Sequence, residues 1–235
     1  MNEREKILTR IREALTVAAP RPGAPLPVGR VPSPGVPGLP TTAGLEARRW
    51  LPKVGDTVEE QLALFAKNAA MLKANFQLFN HWDELSTALT QLQKAENWQR
   101  VASHQAELSG KACAALKLPV CWTDRGYDAL EMEQCDAGVT ECDALVAQTG
   151  SVLVTSRSAG GRALSILPPH HVVIARREQL VADLPAAFAL IQRKYAPEYP
   201  SMISFITGPS RTGDIERIMV LGAHGPKKLT ILCIK

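Results

Sequence analysis

Val172-Val173-Ile174-Ala175, then Asp183-Leu184-Pro185-Ala186-Ala187 running on to Tyr195, then Met202-Ile203-Ser204-Phe205-Ile206, is the stretch whose reading decides the fold. The outer two segments are short and almost wholly apolar, the mark of strands buried on both faces rather than of strands with one wet side. Between them Asp183 occupies an N-cap position, and Pro185 falls in the first helical turn, where its missing N–H is no loss. Strand, helix and strand in that order indicate an α/β domain with a largely parallel sheet.

The same texture extends in both directions. Val101-Ala102-Ser103, Pro119-Val120-Cys121-Trp122, Ala144-Leu145-Val146-Ala147, Val152-Leu153-Val154 and Leu229 to Ile234 read as further strands, and Gly110 to Leu116 as a helix. Upstream, Thr57-Val58-Glu59-Glu60 has the form of a capping box, after which Leu62, Phe65, Ala69, Leu72 and Phe76 recur at helical spacing. Trp82, Leu85, Leu89 and Leu92 form the apolar stripe of a second helix, Trp82 to Lys94. Ahead of these, Glu3 to Leu15 places Ile7, Leu8, Ile11 and Leu15 on one face of an amphipathic helix, and the run from Pro20 to Pro52 is rich in proline and glycine. The expected organisation is an arm over residues 1–52, made of that helix and the Pro-rich run, and an α/β body over 53–235.

With 235 residues, 46% of them hydrophobic and 21% charged, the chain can bury a sizeable core as a globular protein. Its formal net charge of +4 is spread along the chain, and aromatic residues make up 5%, so the dense basic stripe with interleaved aromatics that nucleic-acid binding requires is missing. No run reaches the ~18 apolar residues of a membrane helix, and the charged start of the chain lacks a signal-peptide core, so the cytoplasm is the expected compartment. Cys113, Cys121, Cys135, Cys142 and Cys233 contain no Cys-x-x-Cys pair, which excludes a zinc knuckle or an iron–sulfur run and leaves reduced, buried thiols. His170 and His171, adjacent on a strand, point to opposite faces, with no ligand at metal-binding intervals; no metal is expected.

Ligands of open parallel sheets bind beyond the carboxyl ends of the strands, so the turns after the apolar runs are the places for chemistry. Gly208-Pro209-Ser210-Arg211-Thr212-Gly213-Asp214-Ile215-Glu216 breaks the run ending at Ile206 and reads as a turn opening a helix. Such a layout presents unpaired backbone amides, reinforced by the helix dipole, to an anion, with Ser210, Arg211 and Thr212 adding side-chain donors. Taken in isolation the segment reads first as simple capping by Ser210 or Thr212 with a solvated Arg211, and its context decides between the two. Gln148-Thr149-Gly150-Ser151 is a tight link between two apolar runs, Ser158-Ala159-Gly160-Gly161-Arg162 a glycine-paired loop, and His224-Gly225-Pro226-Lys227 a turn before the last strand. No nucleophile elbow, phosphate loop or dinucleotide fingerprint is present, and no catalytic residues are assigned.

Four segments together, Cys142 to Ser151, Leu164 to Val173, Gly208 to Glu216 and Val220 to Pro226, resemble the lactate-utilisation protein C family with its LUD domain. The resemblance implies a fold similar to the sugar-phosphate isomerase and CoA-transferase group, a three-layer α/β/α sandwich. It also implies a subunit role in oxidising L-lactate to pyruvate, with iron–sulfur clusters carried by partner proteins and no cofactor on this chain. Gln148 departs from the acidic residue frequent at that position in the family; an amide cannot serve as the carboxylate nucleophile of a CoA-transferase, though it can hydrogen-bond a ligand. The ligand-binding candidates are therefore Thr149, Gly150, Gly208, Pro209, Ser210, Arg211, Thr212, His224 and Gly225, with Gln148, Gly161 and Arg162 as further contacts. Two other functions fit the same residues: a stand-alone enzyme acting on a phosphosugar, folate or acyl-CoA ester, and a non-catalytic assembly module.

Overall fold

The computed structural model describes residues 5, 7–9, 12, 53–124, 126–212, 220–222 and 224–235. Two units divide the chain, Met1–Leu51 and Pro52–Lys235. In the first, residues 5, 7–9 and 12 are helical; the Pro-rich run lies outside the described residues.

The second unit opens with α1 (Val58–Met71), whose start is fixed by the expected capping box: the Thr57 hydroxyl accepts from the Glu60 amide, and the Glu60 carboxylate accepts from the Thr57 amide. It stops earlier than the apolar spacing suggests. Ala74 N donates to Ala69 O and Lys73 N to Ala70 O, a Schellman closure with Lys73 held at φ 63°. Phe76 therefore sits not on the helix but on β1 (Asn75–Phe79), and the reversed chain returns its ring to an edge-on contact with Phe65, centroids 4.9 Å apart.

There follow α2 (Trp82–Glu96), β2 (Val101–Ser103), α3 (Glu107–Leu116), β3 (Val120–Trp122), α4 (Ala129–Glu133), β4 (Ala137–Thr140), β5 (Ala144–Val146), β6 (Ser151–Thr155), β7 (His170–Arg176), β8 (Leu180–Val181), α5 (Leu184–Tyr195), β9 (Ile203–Ile206), β10 (Arg211–Thr212), β11 (Val220–Leu221) and β12 (Lys228–Ile234). Six strands, in the order β1-β12-β7-β4-β2-β3, form an all-parallel sheet. Strand alternation sorts its side chains. Val172, Ile174 and Leu232 meet Leu85 and Leu89 of α2 and Leu108 and Ala112 of α3, while Val173, Ala175, Ile231 and Cys233 meet Phe65 and Ala69 of α1.

The deciding stretch divides between two sheets. β7 lies inside the parallel sheet, whereas β9 runs antiparallel to β6 in a smaller four-stranded sheet ordered β8-β5-β6-β9. That smaller sheet shares the α1 side of the core through Leu145, Val152 and Val154, and its other face is covered by Ala187, Ile191 and Tyr195 of α5. The connecting helix thus packs as expected, with Asp183 accepting from Ala186 N, but it leads out of the main sheet. Among the described residues no helix is long and apolar enough to cross a membrane.

Candidate functional site

The described parts of the four segments that carry the family resemblance meet at one edge of the parallel sheet. The turn between β5 and β6 rests on α1: Asn68 Nδ2 donates to the carbonyls of Ala147 and Gln148, each at 2.9 Å, and Gly150, at φ 66°, lies so close that a Cβ there would stand 2.7 Å from Ala69 N. The next link is between hydroxyls, Ser151 Oγ to Thr207 Oγ1 at 2.8 Å. Gly208 then packs beside Leu72, where a Cβ would come within 2.6 Å of Leu72 O. Ser210 N donates to Pro226 O and Gly222 N to Ser210 O, both at 2.9 Å, while Lys227 N donates to Pro169 O at 2.8 Å. Gly225 backs onto Ser210, 3.2 Å from a virtual Cβ to Ser210 Cβ.

Two features expected of this place are corrected. Arg211 and Thr212 enter a two-residue strand paired antiparallel with Val220 and Leu221, so no helix begins at Ser210; residues 213–219, where that helix was to continue, lie outside the described residues. The amides of Gly150 and Ser210 are consumed by the carbonyls of Val146 and Pro226, so they make no open backbone cradle. The location differs as well. The cluster borders the first residues of β7 and β12, the amino edge of the parallel sheet, rather than its carboxyl edge. The smaller sheet produces this inversion, because its antiparallel β6 and β9 carry the turns back past the starts of the parallel strands.

Gly161 and Arg162 do not join the cluster. Their loop lies at the opposite edge, where Gly160, at φ 61°, covers His104 just after β2, and Arg162 donates to Ser201 O at 2.9 Å. Gln148 is buried in the β5–β6 turn with its backbone N–H donating to Ala182 O, and Thr149 Oγ1 is buried without a hydrogen-bond partner among the described residues. His224 is exposed. The Arg211 guanidinium stands beside Gly208, one nitrogen 3.2 Å from a virtual Cβ.

What the edge offers instead of amides is cationic side chains around a cleft of about 360 Å³, bordered by Lys73, His170, Pro209, Lys227, Lys228 and Thr230. A smaller hollow of about 220 Å³ shares His170, Lys227 and Lys228 and reaches Trp98 and Asp136. Lys228 Nζ is paired with Glu96 at 2.6 Å; Lys73 and Lys227 have no anionic partner among the described residues. His170 is 4% exposed, its Nε2 hydrogen-bonded to Thr230 Oγ1 at 2.8 Å and its ring set edge-on to Trp98 at 5.2 Å. Burial lowers its pKa to about 4, with Glu96 opposing and Lys228 assisting, so the ring is neutral near pH 7. His171 faces the other way, its Nε2 bonded to Thr140 Oγ1 at 2.9 Å, and burial lowers its pKa to about 3.

None of the described residues gathers three His, Cys, Asp or Glu side chains in a metal-binding group. The five cysteines are unpaired and buried; burial raises the thiols of Cys135 and Cys233 to about 11 and about 12, the reverse of what a reactive thiol needs. Asp143, in the first resemblance segment, anchors that segment to α5 by accepting from Lys194 Nζ and Tyr195 OH, each at 2.6 Å.

Sequence reasoning overlooked Lys73, Lys227, Lys228, Trp98 and, as a hydrogen-bonding group, His170. The Lys227-Lys228 pair beside a recognised segment was an available signal; Lys73 had none, since its position depends on the left-handed stop of α1.

Comparison with known proteins bears on the same region. The LUD domain family matches residues 123–234. The chain is 37% identical over 111 residues to a lactate utilization protein C of Anoxybacillus flavithermus, covering 47% of this chain and 49% of that one, and 32% identical over 114 residues to that of Bacillus subtilis, covering 47% and 48%. It thus spans about half the length of these curated relatives. Among solved structures, a DUF162 family protein from Deinococcus radiodurans superposes with a TM-score of 0.57 at 19% identity, covering 77% of this chain and all of that one, which supports the α/β fold. Residues 123–234 match the LUD domain family, and in that region the chain is similar to lactate utilization protein C.

Proposed function

We propose that this chain is a subunit of an L-lactate utilisation system, working beside iron–sulfur partner proteins in the oxidation of L-lactate to pyruvate, and that it binds a small anion at the amino-edge cluster. One observation carries the reading: the segments around Gly150, Pro169, Gly208 and Gly225, distant in sequence, are hydrogen-bonded into a single assembly beside a lysine-bordered cleft. The names of the relatives supply the pathway.

In this proposal Arg211 makes a bidentate contact to the anion. Ser210, Thr149, Thr212 and His224 contribute polar groups, and Gly150, Gly208, Pro209 and Gly225 shape the turns that hold them. The redox clusters belong to the partners, residues 1–52 form an arm, and residues 53–235 are the LUD-type α/β body. Gln148, an amide, argues against covalent acyl transfer.

The test is genetic. In a strain lacking its own copy, the wild-type chain should restore growth on L-lactate, and Arg211→Ala should fail to do so while keeping the wild-type circular dichroism spectrum and melting temperature. Normal growth of the variant would remove Arg211 from the site, and failure of the wild-type chain to complement would remove the pathway.

A further inference from the structure

We infer that the open edge of β9 and the apolar groove beside it dock an extended segment of a partner protein, a strand with apolar side chains at alternate positions and an acidic residue at the end that lies beside Ser201. This surface takes no part in the amino-edge cluster, so the inference stands or falls apart from the anion-binding reading.

The backbone supplies the first half of the recognition. Among the described residues β9 pairs only with β6 and forms the outer edge of the smaller sheet. Met202 O accepts from Ser156 N at 3.0 Å, which turns the polar backbone groups of Met202, and by alternation those of Ser204 and Ile206, toward β6. Those of Ile203 and Phe205 therefore face outward, where the Thr207 hydroxyl makes a long hydrogen bond to Phe205 O at 3.5 Å. Natural sheets blunt such an edge with lysine, proline or inward-pointing charge, and Ile203-Ser204-Phe205-Ile206 carries none of these. The side chains of Ile203 and Phe205 lie on one face, and with Phe188, Ile191, Gln192 and Tyr199 they line a groove of about 560 Å³. Phe188 meets Phe205 at 5.4 Å between ring centroids, yet Phe188, Tyr199 and Ile203 remain 58%, 50% and 38% exposed. Large apolar residues gathered at an unpaired edge suit strand addition, in which backbone hydrogen bonds give affinity and pockets for alternate side chains give specificity.

Charge decides what kind of strand fits. The loop leading into β9 holds two arginines by its carbonyls. Arg157 Nη2 donates to Glu198 O at 3.2 Å with its guanidinium 5.5 Å from the centre of the Tyr195 ring, and Arg162 Nη2 donates to Ser201 O at 2.9 Å. Both are exposed, and neither has an ion-pair partner among the described residues. Lys194 nearby is neutralised by Asp143, and Glu198 is the single acid between Ala196 and Ile206, so the start of β9 carries a positive excess. Guanidiniums already held in place lose little freedom on meeting a carboxylate and can take it through two N–H groups. A second copy of this chain does not meet that demand. Paired antiparallel about a twofold axis at Ser204, its β9 sets Thr207 and Gly208, and no acid, against these arginines. An acidic, apolar strand of a different protein satisfies the backbone edge, the groove and the charge together.

Fluorescence anisotropy of labelled synthetic peptides with the full chain tests this, combined with amide NMR of the protein. One peptide alternates valine and threonine with glutamate at both ends; its control carries lysine in place of glutamate. The glutamate peptide should bind about tenfold more tightly than the control at low salt and shift the Ile203 and Phe205 amide resonances. Ile203→Lys, which puts a charge on the edge, should weaken binding roughly tenfold or more, and the Arg157→Glu/Arg162→Glu double variant should reverse the preference in favour of the lysine peptide. That reversal keeps the inference testable if Ile203→Lys does not fold. Equal binding of the two peptides, binding of neither, or unmoved amides at Ile203 and Phe205 would each overturn it. Sedimentation showing a wild-type dimer that Ile203→Lys dissociates would overturn it as well, because a second copy would then be the occupant.

Discussion

Lys73 is the residue at which stability and ligand binding pull apart. Its backbone sits at φ 63° in the Schellman closure of α1, a conformation in which a side chain is strained and glycine is at ease. Lys117 occupies the same kind of position, φ 54°, after α3, and does not border the cleft. Replacing either by glycine should stabilise the protein by about 0.5–1 kcal/mol, because relief of the strained conformation outweighs the added freedom of the unfolded chain. Only Lys73→Gly should also weaken anion binding. Denaturant midpoints of the two variants, paired with calorimetric titration with L-lactate, check this; equal loss of binding in both, or in neither, would contradict a role for Lys73 at the cleft. Gly150 shows the opposite relation. At φ 66° with α1 backbone 2.7 Å from a virtual Cβ, Gly150→Ala combines strain with overlap and should cost about 2 kcal/mol or more, read as a lowered midpoint in urea.

At the scale of elements, what could be read in advance was whatever is encoded locally. Thr57 with Glu60, and Asp183 with Pro185, lie within one turn of the helix starts they fix, so α1 and α5 begin where their sequences indicate. The buried runs were legible as strands for the same reason: a segment apolar on both faces has few other places to go. The end of α1 was not legible, because a left-handed lysine, unlike a glycine, leaves no mark, and Phe76 keeps the helical period by coincidence while packing from β1. β4 escaped because Ala137-Gly138-Val139-Thr140 is short and glycine-bearing; that glycine admits the 164–168 loop, with Leu164 O where a Cβ would stand. Pairing partners are set by contacts distant in sequence, which is why β9 was assigned no separate sheet and the hairpin of β10 and β11 was read as a helix start. The candidate site suffered most from this. Its glycines were singled out as ligand contacts, whereas Gly150 and Gly208 pack against α1 and Gly225 against Ser210, and of the lysines at the cleft only Lys227 belongs to a segment that stood out in the sequence.

For the molecule as a whole, the pair of buried histidines in the centre of the parallel sheet couples stability to pH. His170 and His171 start β7, hydrogen-bonded to Thr230 on β12 and Thr140 on β4, and burial holds both neutral, with native pKa values of about 4 and about 3. In the unfolded chain each returns to about 6.5. The unfolded state is thus the better proton binder below that value, so stability is complete above about pH 6.5 and falls as pH drops toward the native values. At about pH 5 each histidine should have removed roughly 2 kcal/mol relative to neutral pH. Asp143 acts in a lower window. Burial would raise its pKa, but hydrogen bonds from Lys194, Ser158 and Tyr195 outweigh burial and lower it, so its contribution persists at pH 5 and is lost only as pH falls below the ordinary aspartate range of about 4. Urea unfolding between about pH 7.5 and about pH 5 therefore isolates the histidines. The midpoint should fall steadily across that range; His104, whose pKa burial also lowers, adds to the fall, so His171→Asn should shrink the fall without abolishing it, even if the variant starts from a lower midpoint. A midpoint independent of pH over this interval would mean that these rings are protonated or solvated in the native protein, against their burial and their hydrogen bonds to Thr230 and Thr140.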